Sequence, residues 1–261
     1  MTMPENAPSS EVEDVYYKYR SIGDGESESR RRLRQLVVDG SLYFAAPNEL
    51  NDPYDCRPRV TVPDAGTARR TYERITRATH PKVRKRLRRQ WATDWTQGVM
   101  EDAEYRDRQL YNVLTDTVGV FCMSAVPNSL LQWSYYGDSH QGVCIGFRLG
   151  AYQVQYSENR VDFDLSRLDD SDYKTPALMR AITTKAQDWE HEHEFRALQV
   201  RPGPADYGPS IIEDIVFGAA TPSESREFVL RLVEEAEIEP RIMQCQQLTE
   251  RFGIELVPYR S

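Results

Sequence analysis

The chain has 261 residues, of which 39% are hydrophobic and 28% are charged, and its formal net charge is −8. This many large apolar groups can build a substantial core, which excludes an intrinsically disordered protein. The acidic balance disfavours broad attraction to phosphate backbones or anionic membranes, although a local basic patch can escape that average. No apolar run approaches a membrane span, and the polar start lacks a secretory signal pattern, so we expect a cytoplasmic protein.

The first elements follow from simple patterns. Residues 1–14 combine prolines, serines and acids, which predicts a frayed tail. The aromatic and β-branched residues from Val15 to Ile22 predict a strand, and the helical spacing after Ser27 predicts a helix that ends at Gly40. Leu42–Ala45 is typical of a short strand, and the prolines and Asx residues of Pro47–Asp55 predict an irregular elbow.

A basic helical segment follows at Gly66–Gln109. Apolar residues recur every four positions in it, and basic residues crowd the other faces: Lys82, Arg84, Lys85, Arg86, Arg88 and Arg89. This pattern is typical of a solvated helix face neutralised by nearby acids. It also fits an anion or nucleic-acid contact surface, and the sequence leaves both interpretations open.

The second half of the chain is predicted to supply most of the strands. The segments concerned are Thr117–Met123, Gly142–Leu149, Ile211–Phe217, Arg241–Gln246 and Ile254–Tyr259, with helices after Pro176 and from Ser223 to Glu237. There is no internal repeat and no phosphate-binding glycine loop, so neither a Rossmann nor a P-loop site is supported. Four singly scattered cysteines predict free, mostly buried thiols rather than a zinc knuckle or a redox pair.

The most informative segment runs from Trp189 to Arg196, where three glutamates alternate with two histidines. In an extended chain residues two apart share a face, so we expect Glu192 and Glu194 to point the same way. The simplest explanation of this charge pattern is a solvent-facing edge strand with Arg196 as counterion. The functional explanation is a pair of carboxylates that stabilises a cation. Metal ligation by His191 and His193 is a weaker alternative, because H-x-H alone is not specific, and we predict no metal site.

Two further segments combine polar and aromatic groups. The elbow carries Asn51 and Asp52, which are ordinary turn formers before Pro53. The segment from Leu130 to Gly142 has an aromatic spacing that a core helix explains poorly. Aromatic faces flanked by hydroxyls and amides suit a planar ligand such as a nucleobase or nicotinamide.

These motifs resemble a known family. YKYR at Tyr17, the elbow LYFAAPNELNDPYD, the segment LQWSYYGDSHQGVCIGF and the motif WEHEHEFRAL are together similar to the bacterial domain-of-unknown-function 2971 family. The match runs in order from about Val15 to Gly218, and the helical segment carries none of it.

In motif order the chain more distantly resembles the ADP-ribosyltransferase plan, in which split β-sheets hold NAD in a cleft. This implies an α+β fold in which two small, mainly antiparallel sheets form a split core. Residues 15–261 would be a single domain with a helical insertion at about 66–112. The resemblance implies catalytic roles for Glu194 and Glu192, with Glu194 supporting the ribose and Glu192 facing the acceptor. It implies cofactor-binding roles for Tyr19, Arg20, Asn51, Asp52, Ser124, Trp133, Tyr136 and His140.

The predicted function is NAD-dependent ADP-ribosyl transfer or NAD glycohydrolysis, which the resemblance associates with a toxin or phage-defence effector. NAD would be the substrate, with a protein or nucleic-acid acceptor. A noncatalytic nucleic-acid- or nucleotide-binding module is the first alternative, using the basic residues and the aromatic segment. A metal-dependent nuclease using Glu190, Glu192, Glu194 and the histidines is the second.

Overall fold

The computed structural model describes residues 14–165 and 176–260, so the predicted tail lies outside the described residues except for Asp14. The helices are α1 (Glu28–Val37), α2 (Ala65–Thr79), α3 (Lys85–Glu101), α4 (Ala103–Thr117), α5 (Leu130–Tyr135), α6 (Pro176–Ile182) and α7 (Ser223–Glu235). The strands are β1 (Val15–Arg20), β2 (Ser41–Phe44), β3 (Arg59–Thr61), β4 (Val118–Ser124), β5 (Val143–Arg148), β6 (Tyr152–Gln153), β7 (Gln155–Ser157), β8 (Asp162–Asp164), β9 (Thr184–Ala186), β10 (Glu194–Val200), β11 (Gly203–Asp206), β12 (Ile212–Phe217), β13 (Arg241–Gln247) and β14 (Ile254–Pro258).

The chain forms two compact units. The first comprises Met1–Ala45, Gly119–Val154 and Asp188–Ser261, and the second comprises Ala46–Val118 and Gln155–Gln187. Helices α2, α3 and α4 belong to the second unit and occupy the range in which a helical insertion was predicted. The single domain expected from the sequence stays a prediction.

The first unit contains an eight-stranded sheet with the order β14-β13-β12-β5-β1-β4-β10-β6. It is mixed, because β12 and β13 run parallel, whereas the pairs β1-β4, β1-β5, β5-β12, β6-β10 and β13-β14 are antiparallel. The fold is therefore α+β, as expected. The strands are not divided between two small sheets, however, since within the described residues one large sheet is accompanied by three two-stranded ones, β11-β2, β3-β8 and β7-β9.

Strand alternation distributes the core over both faces of this sheet. Tyr16, Ile145 and Phe217 pack on one face with the apolar residues of α1 and α7. Tyr19 and Trp133 pack on the other face, together with Cys144, Val216 and Cys245. The short helix α5, which carries Trp133, thus covers the face opposite α1 and α7.

Strand β1 pairs very differently with its two neighbours. Its antiparallel register with β5 extends over the whole strand, from Val15 opposite Arg148 to Arg20 opposite Val143. With β4 it shares one residue pair, Tyr17 opposite Ser124. The Cys122 carbonyl accepts a hydrogen bond from the Lys18 ammonium at 2.6 Å instead of continuing the ladder. The sheet is therefore loosely joined between β1 and β4.

The second unit combines its helices with the short parallel pairs β3-β8 and β7-β9. Asp107 of α4 accepts hydrogen bonds from the backbone N–H of Val60 at 2.8 Å and from the Arg160 guanidinium at 2.7 Å. Helix α6 ends at Ile182. No described helix has the length and apolar character of a membrane span. No disulfide joins the four cysteines, all of which are described, and Cys56, Cys144 and Cys245 are buried as predicted.

The turn after β12 approaches α5 too closely for a side chain. A Cβ at Gly218 would lie 2.1 Å from the backbone oxygen of His140 and 3.0 Å from the Trp133 ring. Gly150, in contrast, has no heavy atom within 4 Å of such a Cβ.

We expect Gly218→Ala to lower the free energy of unfolding by about 1–3 kcal/mol, because the backbone of the His140 loop must shift to admit the methyl group. Gly150→Ala is the matched control and should change stability by less than about 0.5 kcal/mol. Urea unfolding followed by circular dichroism measures both values. Equal stabilities of the two variants would contradict the close approach.

Candidate functional site

A buried polar cluster lies where β4, α5 and the segment before β10 meet. The Ser124 hydroxyl donates to the backbone oxygen of Glu192 at 2.7 Å. The Gln132 side-chain amide donates both to that oxygen, at 2.8 Å, and to the Ser124 Oγ, at 2.9 Å. Ser124 and Gln132 are 2% and 4% exposed. Together they hold the Glu192 backbone against β4.

The Glu192 carboxylate is also buried and hydrogen-bonded. The Tyr136 hydroxyl, just beyond the end of α5, donates to its Oε1 at 2.7 Å. A charge-assisted hydrogen bond of this kind fixes the carboxylate in one orientation. The cluster thus contains two side-chain hydroxyls and a carboxylate, groups that suit the hydroxyls of a sugar ligand.

Glu194 forms a buried ion pair with Arg196, two residues further along β10. The guanidinium donates from Nε to Oε1 at 2.8 Å and from a terminal nitrogen to Oε2 at 3.1 Å. Both side chains are almost fully buried, at 4% and 0% exposure. The solvent-facing edge strand expected as the simplest explanation is therefore wrong, since β10 lies inside the sheet between β4 and β6. Arg196 is nevertheless the counterion that the sequence suggested.

The backbone between the two glutamates is not extended, contrary to expectation. A 3-10 helix spans Gln187–Glu192, and His193 adopts a left-handed conformation with φ 46° before β10 begins. The alternation rule therefore did not apply to Glu192. The backbones of the two glutamates lie beside the same strand, β4, for different reasons: Glu192 through its hydrogen bond from Ser124, and Glu194 through the β4-β10 pairing.

Lys18 lies at the loose junction of β1 and β4. Its Nζ is 4.4 Å from the centre of the Phe121 ring and donates to Cys122. Burial, and secondarily the nearby Arg20 charge, lower the pKa of Lys18 to about 8, although the charges of Glu194 and Glu192 oppose this shift. An amine with this pKa can act as a base near neutral pH.

Arg20 is not brought together with Ser124 and Glu194. Within β1, Tyr17 and Tyr19 face α5, so alternation turns Arg20 toward the opposite face of the sheet. The Arg32 charge on α1 acts on it there, and burial is the larger cause that lowers the pKa of Arg20 to about 10. The sheet therefore separates Arg20 from the polar cluster.

Tyr19 and Trp133 are core residues of the α5 face. Their rings pack edge to face with centroids 5.1 Å apart. The Tyr19 hydroxyl donates to the Val126 carbonyl, and the Trp133 indole donates to that of Pro127. Trp133 has no exposed surface on which a ligand could stack. The aromatic spacing disfavoured a core helix here, and that prediction is wrong, because α5 is a six-residue helix anchored mainly by this one ring.

The elbow residues Asn51 and Asp52 belong to the second unit, whereas the polar cluster belongs to the first. Asn51 is exposed. Asp52 is 7% exposed, and its Oδ1 accepts a hydrogen bond from the backbone N–H of Tyr54 at 2.9 Å, which closes the turn predicted there. Its buried Oδ2 has no hydrogen-bond partner among the described residues.

The histidines are dispersed. His140 stacks on Trp133, His191 lies against Trp189 and Tyr135, His193 is exposed and His80 ends α2. Within residues 14–165 and 176–260, no group of three or more His, Cys, Asp or Glu side chains is arranged to hold a metal ion.

The basic residues of the second unit surround the start of α3. Lys82, Arg84, Lys85, Arg86 and Arg89 are exposed. Arg88 is partly buried and donates to the Val83 carbonyl at 2.7 Å, so it is used in local structure. There is no acidic residue in the first turn of α3. Cations at a helix N-terminus are electrostatically unfavourable, so this arrangement is not explained by helix stability.

Lys18 and Gln132 were not among the site residues predicted from the sequence. Lys18 stands two residues before Arg20 in β1, and a lysine inside a strand of aromatic residues is a signal that could have identified it. Gln132 gave no such signal, because only the packing of α5 shows that its amide is buried.

Comparisons with protein-family models, with curated proteins and with solved structures gave no match for this chain.

The Lys18 pKa has a consequence for stability. Between pH 8 and 10.5 the unfolded lysine binds a proton that the folded one has released, so folding is favoured increasingly as the pH rises. We expect the unfolding free energy of the wild type, minus that of Lys18→Met, to increase across this window. Urea titrations at several pH values measure the difference.

Lys82→Met is the control for this experiment, because Lys82 is exposed. The unfolding free energy of the wild type, minus that of Lys82→Met, should stay nearly constant over the same pH range. A constant difference for Lys18 would show that its ammonium is well solvated.

Proposed function

We propose that the chain catalyses NAD-dependent ADP-ribosyl transfer or NAD glycohydrolysis. The observation that carries this proposal is the buried cluster of Ser124, Tyr136 and Glu192, which Glu194 follows two residues later at the start of β10. Hydroxyls and carboxylates are the groups that bind ribose hydroxyls and stabilise a positively charged ribose.

The chemistry requires a carboxylate beside a developing cation. The bond between ribose C1′ and the nicotinamide nitrogen breaks, and nicotinamide leaves with the electron pair. An oxocarbenium-like ribose remains, and water or an acceptor nucleophile then forms the new bond at C1′. A fixed carboxylate lowers this barrier electrostatically, and a second one can take the proton of the nucleophile.

The contacts of the two glutamates support distinct roles. Arg196 holds both oxygens of Glu194, which fixes this carboxylate but offsets part of its charge. Tyr136 orients Glu192 through a neutral hydroxyl. We assign the support of the ribose to Glu194 and the acceptor side to Glu192. Arg20 receives no role at the ribose, because it faces the other side of the sheet.

The resemblance to the ADP-ribosyltransferase plan belongs to this proposal. In that plan the sheet is split, and the loose junction between β1 and β4 is consistent with such a split. The likeness to the domain-of-unknown-function 2971 family, and the toxin or phage-defence role that the resemblance suggests, are part of the same proposal.

Removing the charge of Glu194 tests the mechanism. We expect Glu194→Gln to reduce nicotinamide release from NAD by at least about a hundredfold, because the amide cannot stabilise the oxocarbenium ion. Glu192→Gln should reduce transfer to acceptors more than hydrolysis. Labelled NAD and a cell extract as the source of acceptors provide both readouts.

The exposed Glu190→Gln, in the same segment, is the control and should keep full activity. A thermal melt of each variant excludes unfolding. The transferase proposal fails if the wild type neither binds nor consumes NAD, or if folded Glu194→Gln keeps wild-type activity.

A nucleic-acid-binding module is the second candidate. The observation that favours it is the exposed basic group around the start of α3, placed where the helix dipole repels cations. An anionic partner would offset the unfavourable interaction of these basic side chains with the helix dipole, and their repulsion of one another.

If this surface binds duplex DNA, the logarithm of the binding constant should fall linearly with the logarithm of salt concentration. We expect Lys85→Gln/Arg86→Gln to reduce that slope by about 2, one for each lost phosphate contact. Arg31→Gln/Arg32→Gln is the matched control, because both arginines pair with Glu28 on α1. Fluorescence anisotropy at 50–200 mM salt, about the range over which such binding weakens, measures the slopes. Absence of binding at low salt would exclude this candidate.

A further inference from the structure

A cavity of about 550 Å³ opens in the first unit, and its lining includes neither Glu192 nor Glu194. It is lined by Ser139 and His140 from the loop before β5, and by Gln244, Cys245, Gln246 and Gln247 from β13. The Ala219-Ala220 turn after β12 completes the lining. Every described residue that lines the cavity is uncharged when His140 is neutral, so the lining suits a neutral ligand rather than a phosphate or a metal ion.

The position of the cavity in the sheet is one that binds ligands in many α/β proteins. Strands β12 and β13 are parallel and connected through α7, and the cavity lies at their carboxyl-terminal ends, beside the turn after β12 and the last residues of β13. Crevices at the carboxyl ends of parallel strands are common ligand sites in α/β sheets.

The loop that carries His140 is held in an unusual conformation. Asp138, Ser139 and His140 have φ values of 51°, 52° and 68°, three successive left-handed residues of which none is glycine. The backbone N–H of Ala220 donates to the His140 carbonyl at 3.0 Å and keeps the loop in place. Strained backbone of this kind persists where the surroundings enforce it and is concentrated at binding sites.

The His140 ring has a defined orientation and tautomer. It stacks on Trp133 with an interplanar angle of 17°. The Ser134 hydroxyl donates its hydrogen to the Leu130 carbonyl at 2.9 Å, so its oxygen accepts from the His140 Nε2–H at 3.3 Å. The His140 Nδ1 is then an acceptor, and it forms no hydrogen bond with a described residue. Desolvation lowers the pKa of His140, which favours this neutral form.

We propose that this cavity binds an adenine ring. A glutamine carboxamide can donate to N7 and accept from the 6-amino group of adenine at the same time, and Gln247 lies on the same face of β13 as Cys245, which is the face of Trp133 and His140. The His140 Nδ1 supplies a further acceptor for an amino group. The planar, uncharged base matches the polarity of the cavity, and the volume of about 550 Å³ leaves room for the attached ribose. This inference stands without the proposed transferase activity.

Adenosine binding to the full chain, measured by isothermal titration calorimetry, tests the proposal. Inosine has a carbonyl oxygen in place of the 6-amino group, so it should bind at least about tenfold more weakly than adenosine. Gln246→Leu/Gln247→Leu should weaken adenosine binding by a similar factor. Both glutamines are exposed, so the double variant is expected to fold. Gln35→Leu, on the exposed face of α1, is the control and should bind normally.

Competition distinguishes the source of the adenine. NAD displaces adenosine if the site holds the adenine end of a dinucleotide, whereas failure of NAD to compete indicates a site for the free nucleoside. Nicotinamide mononucleotide, which lacks adenine, should not compete in either case. Glu194→Gln should bind adenosine as the wild type does, so loss of NAD turnover and loss of this site are separate results. The proposal is overturned if the wild type does not bind adenosine. It is also overturned if the wild type binds inosine as tightly as adenosine, or if Gln246→Leu/Gln247→Leu binds adenosine as tightly as the wild type does.

Discussion

The unequal pairing of β1 is the constraint on which the first unit depends. Along β5 the strand forms a complete antiparallel ladder, and along β4 it meets one residue pair. A backbone carbonyl left without a partner inside a protein is costly, and the Lys18 ammonium satisfies that of Cys122. Because a charged amine enters the sheet at this junction, the neighbouring groups must accommodate a charge as well.

The charged groups beside this junction are held by specific contacts. Burying an ion pair is favourable only when its geometry is good and its remaining hydrogen-bonding capacity is used. The two parallel hydrogen bonds of Arg196 to Glu194 meet the first condition. The Glu192 carboxylate accepts a hydrogen bond from the neutral Tyr136 hydroxyl, which uses part of its hydrogen-bonding capacity. Such a network rigidifies the region where β4, α5 and β10 meet, and rigidity is also what a catalytic carboxylate requires.

The α5 helix connects the two candidate sites. Tyr136, next to its last turn, reaches the Glu192 carboxylate, whereas Trp133 supports the ring of His140 at the cavity. A six-residue helix would not be stable alone, so its position depends on the buried indole and on the Ser129 cap. Glycines at 137 and 218 permit the close packing around that indole. One buried ring thus supports both the polar cluster and the cavity.

The sequence by itself determined the element types wherever the pattern was long and regular. The β1 strand, the α1 helix, β5, β12 and α7 could all be predicted, because local propensity and periodicity agree with the tertiary environment there. Two of the quoted motifs contain Tyr136, Glu192 and Glu194, and the roles of these residues stay predictions.

Only the tertiary structure decided how these residues are arranged. A 3-10 helix and the left-handed His193 replaced the extended chain between the glutamates, since Ser124 and Gln132 hold the Glu192 backbone from distant positions in the sequence. The face on which Arg20 lies follows from strand pairing, as does the burial of Lys18. The pairings of β1 with β4 and β5 join residues more than a hundred positions apart, and local patterns carry no information about such contacts.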